Sequence, residues 1–181
     1  MNREEALELM KAKVKNKNLQ KHMLATEAVM QELARHFGED EDTWGLTGLL
    51  HDIDYDETLD DPSNHGLIGA KILEGRGVEP EIIQAIKAHP GHVERLSRMD
   101  KALYAVDPLT GLIVACALIH PDKRLKSIDT EFVLNRFKEK RFASGADREI
   151  IKECENFGLS LQEFIEISLR AMKEISEILG L

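Results

Sequence analysis

The sequence predicts an all-α fold, a single helical domain over residues 1–181, and three observations carry that prediction. Apolar residues recur at three- and four-residue spacing along most of the chain. No run alternates apolar and polar residues as a half-buried strand does, and only five prolines punctuate the pattern. With 181 residues, 43% hydrophobic and 31% charged, the chain can bury one core of ordinary size, and a second full domain is not expected.

The elements follow in order. The cluster Lys11-Ala-Lys-Val-Lys-Asn-Lys17 reads as a solvated helix end and turn. Leu19, Met23, Met30, Leu33 and Phe37 then share one helical face, Gly38 supplies a stop, and Glu39-Asp-Glu-Asp42 is an acidic start for a helix over about 43–51. Pro62-Ser63-Asn64 is a turn leading into a helix over 64–75, which Gly75-Arg-Gly77 ends. Pro80 sits near the first turn of a helix over 79–88. A long helix over 100–118 contains Pro108, which predicts a kink or a restart at Asp107. Helices over 129–139, 146–157 and 160–179 complete the chain, and Ile150, Ile151, Cys154, Phe157, Leu161, Phe164, Ile165 and Leu169 mark the last two as core-forming. That pair carries no histidine and reads as scaffold or lid.

Composition narrows the function. Lys and Arg total 24 against 33 Asp and Glu, a net charge of −9, which argues against a surface that neutralises long nucleic acid backbones but leaves room for one phosphate held through a metal. Cys116 and Cys154 stand far apart in apolar helical settings and read as reduced core thiols, so the expected compartment is cytoplasmic. No stretch reads as the roughly 20 apolar residues of a membrane helix, and the first residues lack the order of a secretory signal.

The dipeptide His51-Asp52, closing the apolar run from Trp44 to Leu50, reads as the centre of a metal site. His22 shares a face with Thr26, Val29 and Leu33; His65 aligns with Ile68 and Ile72; His89 follows Ile82 and Ile86; Asp107 aligns with Leu103, Thr110 and Val114. All four residues therefore point inward, where an unpartnered carboxylate costs several kcal/mol and an unpaired imidazole is also penalised. A shared cation uses the lone pairs that burial would otherwise strand. Singly, each residue has a plainer reading: a hydrogen-bonded core histidine, Asp52 as a cap of the next turn, or Asp107 as an N-cap before Pro108. His92 could replace His89 if Pro90-Gly91 bends inward, while His36 and His120 read as structural or surface residues. Neither His-Glu-x-x-His nor Glu-x-x-His occurs, which disfavours a zinc protease and a ferritin-like di-iron bundle.

In this order, His22, His51-Asp52, His65 in His-Gly-Leu-Ile-Gly-Ala, His89 in Ala-Ile-Lys-Ala-His and Asp107 in Tyr-Ala-Val-Asp, the chain resembles the HD superfamily of metal-dependent phosphohydrolases over residues 19–118. The resemblance implies an all-helical HD-type bundle with residues 119–181 as a C-terminal helical extension. It implies a first metal held by His22, His51, Asp52 and Asp107 and a second joined by His65 and His89, with Asp52 bridging. The ions would be divalent and two in number, drawn from Fe, Mn, Co, Ni or Zn. The expected substrate is a small phosphate compound such as a nucleotide, attacked by a metal-bound hydroxide, with no extended nucleic acid and no membrane as partner. Many relatives carry Lys or Glu shortly after His-Asp, whereas here the stretch is Ile53-Asp54-Tyr55-Asp56. Besides Asp52, candidates for orienting substrate or relaying a proton are Asp54, Tyr55 and Thr110, with Asp54 and Asp56 alternatively solvated loop charges. Lys87 and Arg76 could meet phosphate or simply lie on helix surfaces. Three other readings stay open: a di-iron oxygenase on the same ligands, a regulatory module that binds metal and nucleotide without turnover, and a helical domain whose histidines are only core residues.

Overall fold

A computed structural model describes all 181 residues, and they form helices and no strand. The helices are α1 (Arg3–Lys13), α2 (Lys17–Phe37), α3 (Glu41–Leu50), α4 (Tyr55–Thr58), α5 (Leu67–Glu74), α6 (Pro80–Ala88), α7 (Arg98–Ile119), α8 (Thr130–Phe137), α9 (Arg148–Lys152), α10 (Leu161–Glu174) and α11 (Ser176–Leu179). Single 3₁₀ turns at Pro62–Asn64 and Leu125–Ser127 and a longer one at Glu153–Phe157 fill some of the connections.

The start and stop chemistry reads directly from side chains. Asp40 caps α3 by accepting from the Thr43 N–H, and Ser97 with Asp100 and Ser160 with Glu163 form capping boxes at α7 and α10. Gly38 ends α2 in the left-handed region at φ 70°, as expected of a glycine stop. The lysine-rich cluster is indeed a helix end and turn: α1 stops at Lys13 and Asn16 caps α2. α1 itself is not among the expected helices, although Asn2 and Glu5 form a capping box and Ala6, Leu9 and Met10 bury one face.

Several expected boundaries move. The helix over 64–75 begins only at Leu67, because Gly66 at φ 79° breaks the path. α7 runs through Pro108 without a restart. The ring removes one backbone hydrogen bond, but the turns on both sides are buried against neighbours that hold the axis. The segment 146–157 divides into α9 and a 3₁₀ turn, and 160–179 divides at Ile175 into α10 and α11. Residues 55–58, expected as loop, form the short α4.

α7 also corrects the membrane reading. By length and composition it is apolar enough to cross a bilayer, at mean hydropathy 1.9 over its best window. It carries Asp100 and Asp107, and its apolar face, from Ala102 to Ala117, is buried against α2, α6, α8 and α9. The core has two apolar clusters. The larger joins α2 and α7 to α8, α9 and α10, and the smaller joins α1, α5 and α6 to α2 and α3. α2, α3 and α6 contribute to both, and the expected ligands His22, His51 and His89 sit on these shared helices or at their ends.

Candidate metal centre

Close backbone approach delivers the first pair of ligands. A Cβ on Gly48 would lie 2.8 Å from the Thr26 carbonyl and the Glu27 nitrogen, so glycine lets α3 press directly on α2. That contact sets His51, at the C-cap of α3, 3.2 Å from His22 between their Nε2 atoms. The turn after α3 carries Asp52 and Asp54, His65 ends the 3₁₀ turn before α5, and His89 caps the end of α6. Gly66, beside His65, accepts its left-handed conformation next to the Ile86 carbonyl, which an added Cβ would meet at 2.8 Å.

The six expected residues converge in two adjoining groups. His22, His51 and Asp107 offer donor atoms within 4.8 Å of one another, as do Asp52, His65 and His89. Asp52 faces both groups: its Oδ2 lies 3.4 Å from His51 Nε2 and 3.8 Å from His22 Nε2, and its Oδ1 lies 3.2 Å from His65 Nε2 and 3.6 Å from His89 Nε2. Asp107 Oδ1 stands 3.1 Å from His22 Nε2 and 4.0 Å from His51 Nε2, so this aspartate is in mid-helix on the centre and not an N-cap before Pro108. His51, Asp52 and His89 are buried, while the Asp107 side chain is 40% exposed and marks the open side.

Every imidazole is anchored through Nδ1. His51 donates to the Gly48 carbonyl at 2.8 Å and His89 to the Ile86 carbonyl at 2.7 Å. His65 donates to Asp54 Oδ1 at 2.9 Å, and His22 donates to the Thr110 hydroxyl at 3.0 Å, which itself donates to the Asp107 carbonyl. With Nδ1 holding the hydrogen, each neutral ring turns its Nε2 lone pair to the centre, which is how hydrogen-bond partners behind the ring prepare ligating histidines. Two lone pairs then face each other at 3.2 Å in the His22–His51 pair and at 3.1 Å in the His65–His89 pair. Such contacts repel unless a proton or a metal ion stands between them. The donor set, four imidazole nitrogens and two carboxylates, suits divalent first-row metals.

Without metal, protons do that work. Burial opposes charge on His51, but the charge and hydrogen bond of Asp52, the charge of Asp107 and the Gly48 carbonyl outweigh it and lift the ring to about 9. Burial likewise opposes charge on His65, and Asp52 and Asp54 together lift it to about 10. Asp52 is held well below the usual carboxylate range: burial works against this, and His51, His65 and His89 overcome it. The raised histidines stabilise the metal-free fold fully below their ordinary value of 6.5, and that contribution disappears as pH climbs through about 9 and about 10. The thermal stability of chelated protein should therefore fall between pH 6.5 and 10, and added manganese should stabilise most at the alkaline end, where competing protons have left. A melting temperature flat across that window in chelator would contradict this account.

The other expected residues fall into place around the centre. Asp54 is no solvated charge: it is fully buried, and its Oδ2 accepts from the Gly66 and Gly69 N–H groups at 2.8 and 2.7 Å while Oδ1 holds His65. Both oxygens are thus engaged, and Asp54 holds the His65 ring in place. Thr110 is likewise buried and committed to His22. Tyr55 is 43% exposed with its ring edge-on to His65 at 5.8 Å, at the mouth of the centre. His92 does not replace His89, since its Nε2 donates to the His65 carbonyl. Lys87 pairs with Glu74 on the surface, Arg76 lies exposed beside α1, and Asp56 accepts from the Lys15 N–H. His36 is exposed against Phe37, and His120 accepts from the Asp122 N–H, both remote from the ligands. Sequence reasoning misses Gly48 and Gly66, although both sit within the segments it singles out.

Comparison with known proteins agrees with this geometry. The HD domain family model matches residues 19–120. The chain belongs to the HD domain family. HD domains bind divalent metals, and the His/Asp cluster of this HD domain is compatible with such a site. Ribonuclease Y of Sulfurovum sp. (strain NBC37-1) is 31% identical over 159 residues, covering 86% of this chain and 31% of the relative. Ribonuclease Y of Campylobacter jejuni subsp. jejuni (strain 81-176) is 34% identical over 89 residues, 49% of this chain and 17% of the relative. That of Campylobacter curvus (strain 525.92) is 28% identical over 159 residues, 86% of this chain and 31% of the relative. The HD chain thus spans at most 31% of the length of these relatives. No solved structure gives a significant match.

Proposed function

We propose that this HD domain protein is a binuclear metal-dependent phosphohydrolase that cleaves a phosphate ester of a nucleotide or short nucleic acid end. One observation carries the binuclear reading: the two oxygens of Asp52 face different histidine pairs, His22 with His51 and His65 with His89. In this reading His22, His51 and Asp107 would hold one ion and His65 and His89 the other, with Asp52 available to both. Bound metals of this kind lower the pKa of water and polarise a phosphoryl oxygen.

The chain's own residues supply the rest. Asp54 and Thr110 fix the tautomers of His65 and His22, and the Gly48 and Ile86 carbonyls do the same for His51 and His89. Burial of Asp52, His51 and His89 keeps bulk water from the inner face, and the exposed edges of Asp107 and Tyr55 leave one side open to substrate. Tyr55 orients the substrate at that mouth.

The relatives' name points to RNA, whereas the net charge of −9 weighs against gripping long backbones, so a nucleotide or a short strand reconciles the two. Residues 19–118 form the metal-binding core of one domain in this reading, with 119–181 as its helical extension. The buried, free thiols of Cys116 and Cys154, pushed up by burial to about 12 and about 11, suit a reducing compartment such as the cytoplasm.

The test is metal analysis joined to turnover on a diester substrate. Wild type should bind about two ions per chain and release the alcohol from a phosphodiester when loaded with manganese. His65→Ala should lose one ion and most of the rate while the first ion stays. Unchanged stoichiometry and rate in His65→Ala would leave at most a mononuclear site, and no turnover by any metal-loaded wild type would remove the hydrolase reading.

A further inference from the structure

A cavity of about 400 Å³ opens beside the metal centre between α2 and α7. It continues the two faces that carry ligands: on α7 the stripe after Asp107 runs Thr110, Gly111, Val114, Leu118, and on α2 both His22 and Ala25 line it. Leu179 and Leu181 close the far wall, held there because Lys21 Nζ donates to the Leu179 carbonyl at 2.7 Å. The Asn18 amide and the Lys21 ammonium give the otherwise apolar slot a polar rim. A polar depression near Gly91–Arg95 and Glu153 is larger but contains none of the metal-site residues.

We infer that this slot is a base-binding subsite: it takes the heterocyclic base of a nucleotide whose phosphate lies at the metal centre. The inference rests on the phosphohydrolase reading and adds to it the residues that would choose the substrate. Three features argue for the occupant. His22 lines the cavity and also belongs to the metal centre, and Thr110, the hydroxyl behind its ring, lines it too, so the slot adjoins the centre along the α2–α7 face. Apolar walls with a few polar groups at the edge match a flat ring that carries hydrogen-bonding atoms on its rim, and the volume is within the range of small-ligand pockets. Leu118, 51% exposed, is an apolar surface left open at the entrance, which a stacked ring would cover.

Gly111 provides a test that does not threaten the fold. A Cβ there meets nothing within 4 Å, so Gly111→Leu fills the slot without moving backbone, and helix propensity favours the change. AMP and ribose 5-phosphate share phosphate and sugar and differ only in the base. Calorimetric titration of manganese-loaded wild type should show AMP binding about tenfold more tightly, a preference of the size expected from burying one face of the base. Gly111→Leu should erase that preference and leave ribose 5-phosphate affinity as in wild type, with metal content unchanged. Equal affinity for the two compounds in wild type, or a preference that survives Gly111→Leu, would overturn the subsite while leaving the hydrolase reading in place. If neither compound binds and no phosphodiester is cleaved, both fall together.

Discussion

Replacing Asp52 with asparagine should empty both halves of the metal centre and lower phosphodiester hydrolysis by on the order of 10³-fold, about 4 kcal/mol of transition-state stabilisation. Asparagine keeps the volume, so packing around the turn after α3 is preserved, but it removes the charge that faces all four imidazoles. Metal analysis after purification without chelator should then find less than one ion per chain against about two in wild type. The mutation also separates a metal role from a purely structural one. In chelated protein the Asp52 charge is what lifts His51 to about 9, together with Asp107, and it helps lift His65 to about 10. Asp52→Asn should therefore flatten the alkaline part of the stability profile as well as abolish metal retention. A variant that keeps its metal and loses only stability would mean that Asp52 is a core carboxylate and nothing more.

The residues of this centre are legible in the sequence because inward-facing imidazoles and carboxylates on apolar stripes have few ways to be satisfied. His22, His65, His89 and Asp107 each stand on the buried side of a helical pattern or next to one, and His51-Asp52 closes an apolar run. The period of the pattern thus decides which side chains point inward, and the order of the six residues supplies the family resemblance. The membership in the HD domain family and the all-helical fold agree with both.

What escapes the sequence is the set of contacts between segments far apart in the chain. Asp54 reads as a group that orients substrate or relays a proton, or else as a solvated loop charge, because its neighbours Ile53, Tyr55 and Asp56 say nothing of the Gly66 and Gly69 N–H groups that fold back onto it. Thr110 reads as a group that orients substrate or relays a proton for the same reason, since its partner His22 lies 88 residues away. The continuity of α7 through Pro108 depends on burial of its two flanks, and a local rule about proline carries no information on that. The length and apolarity of α7 fit a bilayer as well as a core, and only its packing against α2, α6, α8 and α9 decides between them.

The close approach of α2 and α3 gives the second large expected effect, because a glycine that touches no ligand should control the whole centre. In Gly48→Val the new Cβ would stand 2.8 Å from the Thr26 carbonyl group and the Glu27 nitrogen, atoms of helix backbone that cannot rotate away. The helices must separate, and overpacking of this kind in a buried interface costs about 3 kcal/mol. For a chain of this length that is a fall of roughly 10 °C in melting temperature. The displacement is passed on to function, since His51 hangs from the end of α3 and its Nδ1 anchor is the Gly48 carbonyl itself, 2.8 Å away. Separation of α2 and α3 widens the 3.2 Å gap between His22 and His51 and weakens the first metal half more than the second, whose His65 and His89 are borne by the segment before α5 and the end of α6. Gly111→Val is the matched control: the same substitution, also within a helix, where an added Cβ meets nothing within 4 Å and stability should hold or rise slightly. Differential scanning calorimetry with metal analysis of the two variants distinguishes the outcomes. Equal melting temperatures and equal metal content in the Gly48 and Gly111 variants would show that the α2–α3 contact does not set the ligand geometry.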